Sequence, residues 1–106
     1  MSTPADAEPA SAVLRLLGEV DFFSEDGYRA EAEQLLGNEH VKRFVVDLGG
    51  VEAIDSSGLS LLVDILRLCR ELGVEMVLRD VPERVRQLLD LTGLDQVLAV
   101  EGSSPA

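Results

Sequence analysis

The run Val41-Lys42-Arg43-Phe44-Val45-Val46-Asp47-Leu48 constrains the fold more than any other stretch of the chain. Its centre, Phe44-Val45-Val46, is aromatic and β-branched without a polar break. Such a triplet suits a strand covered on both faces. Three weaker strand patterns accompany it: Ala12 to Leu17, Val74 to Leu78, and Val97 to Val100. Helical patterns fill the intervals, at Glu25 to Leu36, Leu59 to about Leu72, and Glu83 to about Leu91. Strands alternating with helices predict an α/β domain built on a largely parallel sheet, with right-handed crossovers.

Punctuation residues set the expected boundaries. Residues 1–11 are polar, carry two prolines and read as a disordered lead, and 102–106 read as a flexible tail. Gly18 is expected to end the first strand, with Glu19 to Phe23 as a loop. Ser24 is an expected N-cap, ahead of Glu25 and Asp26. Gly49-Gly50 is expected to open a loop after the second strand. In the helix from Leu59, Ser60, Asp64, Arg67 and Glu71 form one narrow polar stripe on an otherwise aliphatic cylinder, so the helix should be mostly buried. Gly73 ends it, Pro82 opens the last helix, and Thr92-Gly93 stops that one. At 106 residues the chain is one domain.

Charge and composition exclude several function classes. The net charge of −11 opposes binding to nucleic acid or to anionic lipid, both of which need a basic surface. It allows a partner with a basic patch, and it also serves plain solubility. Only 4% of residues are aromatic, so the core must be aliphatic. The single cysteine, Cys69, falls inside the apolar helix and reads as a small core residue. With one Cys and one His, a His- or Cys-based metal site is not expected. No secretory signal or membrane-length apolar run is present, so membrane insertion is not expected and the expected location is cytoplasmic.

Asp55-Ser56-Ser57-Gly58 is the place where chemistry concentrates. It joins the apolar strand to the apolar helix, and helix N-termini expose free N–H groups and the positive end of the dipole. A catalytic triad would need His40 beside Ser56, yet His40 stands at the entry side of the strand and Ser56 beyond its far end. Gly-x-Ser-x-Gly, Gly-x4-Gly-Lys-Ser/Thr and Gly-x-Gly-x-x-Gly are all absent. Asp55 as a receiver-type phosphoacceptor would need a lysine partner, and Lys42, the only lysine, starts a strand rather than ending one. An enzyme is therefore not expected. Two readings remain. Ser56 and Ser57 cap the helix, or Ser56 is a substrate that accepts a phosphoryl group, with the helix N–H groups available to hold the added charge.

The blocks Gly18-Glu19-Val20-Asp21, Val45-Val46-Asp47-Leu48, Ile54-Asp55-Ser56-Ser57-Gly58-Leu59-Ser60-Leu61-Leu62, Gly73 to Leu78, Val81 to Val85 and Leu91-Thr92-Gly93-Leu94 together resemble the STAS domain, the fold of sulphate transporters and anti-sigma factor antagonists. The likeness runs from about Val13 to Val100 and is strongest to free-standing bacterial anti-sigma factor antagonists. It implies a single STAS-like domain over 12–101, α/β, with a mixed, mostly parallel sheet of four to five strands packed with helices. It implies that Ser56 is phosphorylated by an anti-sigma factor that is itself a serine kinase of the histidine-kinase-like ATPase type. The unphosphorylated form would bind that kinase and release the sigma factor, phosphorylation would break the complex, and a serine phosphatase would reset it. The implied partner surface holds Asp21, Phe22, Phe23, Ser24, Asp55, Ser56, Ser57 and Gly58. In it Asp55 would orient Ser56, and Ser57 would cap the helix. No cofactor or metal is implied, since the kinase brings ATP.

Three points in this chain depart from the family pattern. The usual first edge strand has poor material in 1–11. The chain stops soon after Val100, where a further helix is common. Apolar surface left bare at both places would favour a homodimer. Phe22 and Phe23 are unusually apolar for a partner-facing loop and read as a core plug, with a docking anchor as the alternative. A different use of the same domain is a STAS subunit of a phospholipid-transport ATPase complex, which would bind its ATPase without phosphorylation.

Overall fold

The structure is a computed structural model and describes residues 10–101. The expected disordered lead up to residue 9 and the expected tail from residue 102 lie outside the described residues. Four strands, β1 (Ser11–Val20), β2 (Arg43–Ile54), β3 (Glu75–Arg79) and β4 (Ala99–Val100), form one sheet in the order β1-β2-β3-β4. Every pair in it is parallel. Helices α1 (Glu25–Leu36), α2 (Ser56–Leu72) and α3 (Glu83–Thr92) make the crossovers, and a 3₁₀ turn at Leu94–Gln96 precedes β4. The domain is thus α/β as expected, and among the described residues its sheet has four strands, all parallel.

A sheet wound in sequence order with one crossover hand places every helix on the same face. The core agrees. Leu14 and Leu16 of β1, Phe44, Val46 and Leu48 of β2, and Met76 and Leu78 of β3 join Ala32 and Leu36, Leu61, Leu62, Ile65 and Cys69, and Val85 and Leu89 in one cluster. Burial pushes the Cys69 thiol up to about 11, so it packs as a neutral apolar group. Val45 and Val77 are equally buried but stand outside that cluster. Their register partners are Val13 and Ala99, so the four make a row on the opposite face. Phe44-Val45-Val46 is thus buried on both faces as expected, with the helices supplying the cover on one of them.

Ion pairs flank the valine row. Arg15 meets Asp47 at 3.5 Å, Arg43 meets Glu101 at 2.6 Å, and Arg79 meets Glu101 at 2.7 Å. Arg79, and then Arg43, hydrogen-bond the ionised carboxylate and hold the Glu101 carboxyl below its ordinary 4.5. A depressed folded value contributes stability that is complete above the unfolded value and is lost as pH falls through the folded one. The melting temperature should therefore drop as the pH falls below 4.5, and Glu101→Gln should flatten that acid limb. Equal acid limbs in thermal melts of the two proteins would refute this account.

Several boundaries differ from the expected ones, and three strand ends do so for a clear local reason. β1 begins at Ser11 and does not end at Gly18. It continues to Val20 through register shifts between Arg15 and Leu17 and between Gly18 and Glu19, with Gly18 supplying φ +65°. The Tyr28 hydroxyl of α1 repairs this irregular stretch, accepting from the Leu17 N–H at 3.0 Å and donating to the Leu17 carbonyl at 3.4 Å. β2 likewise runs through Gly49-Gly50 instead of ending there. Gly50 pairs with Leu17, and a Cβ at Gly50 would meet the end of the exposed Leu17 side chain at 2.5 Å, so a larger residue there would make that side chain turn aside. The last strand shrinks to Ala99–Val100 because Gln96, Val97 and Leu98 stay in tight-turn hydrogen bonds to Gly93 and Leu94.

Candidate functional site

Neighbouring strands β1 and β2 deliver two loops to the same end of the sheet. Val20 pairs with Ile54 at their last residues, and the Asp55 N–H donates to the Val20 carbonyl at 3.2 Å. The Asp21–Ser24 loop therefore leaves the sheet beside Asp55-Ser56-Ser57-Gly58. This is the carboxyl end of parallel strands, where α/β sheets place their sites.

In the second loop, Asp55 has extended backbone (φ −111°, ψ −169°) and caps α2. Its Oδ1 accepts from the Ser57 N–H at 2.8 Å and from the Gly58 N–H at 3.1 Å. This corrects two expectations. The cap is Asp55 rather than Ser57, and α2 starts at Ser56, three residues earlier than Leu59. Two of the N–H groups thought available to a phosphate, those of Ser57 and Gly58, are already held by the Asp55 carboxylate. Ser56, as the first helical residue, is exposed, Ser57 is half-buried and Gly58 is buried. A Cβ on Gly58 would meet the Val20 carbonyl oxygen at 2.6 Å and collide with Ile54, so only glycine lets the first turn of α2 press against the ends of β1 and β2.

The first loop is a closed hydrogen-bonded turn. Asp21 Oδ1 accepts from the N–H groups of Phe23 at 3.0 Å and Ser24 at 3.1 Å. The Ser24 hydroxyl accepts in return from the Asp21 N–H at 3.0 Å. Ser24 thus does not cap α1 with its side chain as expected; it is spent within the loop. Phe22 and Phe23 stand out from this frame, 66% and 89% exposed, with their rings edge-to-face at 5.6 Å. The expected core plug is overturned, because neither ring reaches the core. Phe22→Ser and Phe23→Ser should each leave the melting temperature within a degree or two, as exposed substitutions do at about 0.5 kcal/mol or less. A large destabilisation in a thermal melt would contradict this placement.

Other parts of the neighbourhood were not singled out from the sequence. A groove of about 350 Å³ is lined by Ser56, Leu59, Ser60 and Val63 of α2, by Thr92 at the end of α3 and by Leu94 just after it. Ser60 came forward as part of a polar stripe and Thr92-Gly93-Leu94 as a helix stop, both also within the blocks that resemble the STAS domain, but neither as a lining of one groove with Ser56. The spacing of 36 residues between Ser56 and Thr92 hides their proximity, which depends on how α2 and α3 pack. Arg29 of α1 bonds Asp64 of α2 at 2.8 Å and also pairs with Glu25 and Asp26, tying α1 to α2 just behind both loops. His40 precedes β2 and Ser56 follows it, so the strand lies between them. Among the described residues, no three His, Cys, Asp or Glu side chains converge on a metal position, and no helix is long and apolar enough to cross a membrane.

The fold, with its capped serine corner at the end of a singly wound parallel sheet, is that of a STAS domain. The STAS domain family model matches residues 3–104, and the chain belongs to this family. Its relatives include an anti-sigma F factor antagonist of Paenibacillus polymyxa, 30% identical over 88 residues that span 83% of this chain and 75% of that protein. Among solved structures, an anti-sigma factor antagonist from Mycobacterium paratuberculosis superposes with a TM-score of 0.73 at 25% identity, covering 91% of this chain and 80% of the other. The anti-sigma factor antagonist SpoIIAA in its unphosphorylated form superposes with a TM-score of 0.69 at 18% identity, covering 92% and 84%, which establishes the shared fold.

Proposed function

We propose that this protein is an anti-sigma factor antagonist of a bacterial partner switch, and that Ser56 is its phosphoacceptor. The observation that carries the reading is the placement of Ser56. It is an exposed hydroxyl on the first residue of α2, at the mouth of a groove along α2, and the loop carrying the exposed Phe22 and Phe23 leaves the same end of the sheet. A kinase needs an accessible hydroxyl on a rigid frame, and Asp55 and Gly58 supply that frame. In this reading the chain is a substrate and binding module, not an enzyme, and it works in the cytoplasm. Its partner is an anti-sigma serine kinase of the histidine-kinase-like ATPase type, and a serine phosphatase restores the free hydroxyl. The unphosphorylated form binds the kinase and releases the sigma factor.

The partner surface consists of Asp21, Phe22, Phe23 and Ser24 on one loop and Asp55, Ser56, Ser57 and Gly58 on the other. Transfer requires the nucleotide phosphates to lie against Ser56. The product then sets a phosphoserine of about −1.5 to −2 charges beside them, and the complex is driven apart by like-charge repulsion. Incubation with such a kinase and labelled ATP should place label on Ser56 of the native chain and none on Ser56→Ala. Label retained by Ser56→Ala would sink the assignment. An ATPase that binds the chain without ever phosphorylating it would favour the transport-complex reading instead.

A further inference from the structure

We infer that Asp55 is a positioning residue for the phosphorylated state: it keeps a phosphate on Ser56 out of the helix N-terminus and on the partner-facing surface. This rests on the reading of Ser56 as phosphoacceptor and adds how the added charge is displayed. A phosphate at the first residue of a helix would ordinarily turn inward to the free N–H groups of the first turn. Here that turn is already satisfied. The Ser57 and Gly58 N–H groups donate to Asp55 Oδ1 at 2.8 and 3.1 Å, and the Leu59 N–H donates to the Asp55 carbonyl at 3.0 Å. Only the N–H of Ser56 itself is left. A phosphate reaching for the others would have to expel a carboxylate that is covalently tethered beside them.

The charged surroundings offer no alternative resting place. Glu19 and Asp21, from β1 and its loop, line the crevice shared with Asp55. Along the Ser56 groove the charged groups of α2 are Asp64 and Arg67, and the α3 side contributes Thr92 and Leu94. Arg67 lies eleven residues, about three turns, along α2 from Ser56 and pairs with Asp64. The phosphate therefore has acidic neighbours, one open amide donor, its own, and along the groove a single cation, Arg67, about three turns away and already paired, so it points into solvent or into a partner. Asp55 so converts a site that would absorb the charge into one that presents it.

The consequence is measurable without any kinase. Phosphoserine is installed at position 56 by genetic code expansion, and its second ionisation is followed by ³¹P NMR, with the Ser57 and Gly58 amides followed by ¹H–¹⁵N NMR. In the native chain the phosphate should ionise about half a unit above the ordinary value near 6, the effect of one carboxylate about 6 Å away in water. Neither amide should titrate with it. Asp55→Asn, which caps a helix as well as Asp does, should return the value to near 6. Asp55→Ala should bring it lower still, with both amides now shifting as the phosphate ionises. If the native value lies at or below that of Asp55→Ala, or if the Ser57 and Gly58 amides follow the phosphate in the native chain, the phosphate has displaced Asp55 and the inference is wrong. Should Asp55→Ala fail to fold, the native and Asp55→Asn proteins still decide it, since equal values in those two refute it. Failure of the phosphoacceptor reading, seen as no kinase transfer to Ser56, leaves this titration intact.

Discussion

Ser56→Asp is expected to lower affinity for the proposed kinase partner by about a hundredfold, while Ser56→Ala stays within a few-fold of the native chain. The asymmetry follows from the geometry. Ser56 is exposed and contributes its hydroxyl to no hydrogen bond that the fold needs, so removing the hydroxyl costs the domain little. A carboxylate at the same place puts an uncompensated charge where the partner must approach closely. Juxtaposed like charges cost several kcal/mol, and each 1.4 kcal/mol is about tenfold in affinity. Both variants should keep the native melting temperature within about two degrees. Titration calorimetry or surface plasmon resonance against the kinase reads the affinity, and thermal denaturation confirms the fold. Equal binding by the two variants would remove Ser56 from the switch.

Gly58→Ala should destabilise the domain by about 2 kcal/mol, or lower its melting temperature by about 10 °C. Helix propensity alone predicts the opposite sign, since Ala in a helix is better than Gly by about 1 kcal/mol. The tertiary contact decides, because the new methyl group meets the Val20 carbonyl oxygen at 2.6 Å and the Ile54 side chain. A backbone carbonyl in a paired strand cannot step aside as a flexible side chain does. The first turn of α2 would have to lift from the ends of β1 and β2, carrying Ser56 away from the Phe22–Phe23 loop. A melting temperature that is unchanged or raised would show that the turn relaxes freely and that Gly58 does not set the site.

The α/β class, the strand–helix alternation and the three helices were legible in the sequence, because hydrophobic period and glycine or proline stops are local properties. So was the position of Asp55-Ser56-Ser57-Gly58, where two apolar elements meet at a polar corner. What local pattern misjudged has a common cause. Gly18, Gly49 and Gly50 look like strand ends, yet they sit inside strands, beside the register shifts that interrupt regular pairing of β1 with β2. Phe22 and Phe23 look like core, yet a ring of Asp21 and Ser24 hydrogen bonds turns them outward. Ser57 looks like the cap, yet the preceding carboxylate takes the position.

The corner itself, an aspartate, two serines and a glycine at the start of an apolar helix, was determined by sequence alone. So was the strand that feeds it, since residue order sets which element follows which. Only the tertiary structure decided what the corner can do. Parallel pairing of Val20 with Ile54 brings a second loop to the same end of the sheet, and packing of α2 against the α3 region opens the groove at Ser56. The path of one carboxylate oxygen to two backbone N–H groups decides which donors remain for an added phosphate. These are distances between groups far apart or differently oriented along the chain, and residue order does not encode them until the sheet has formed.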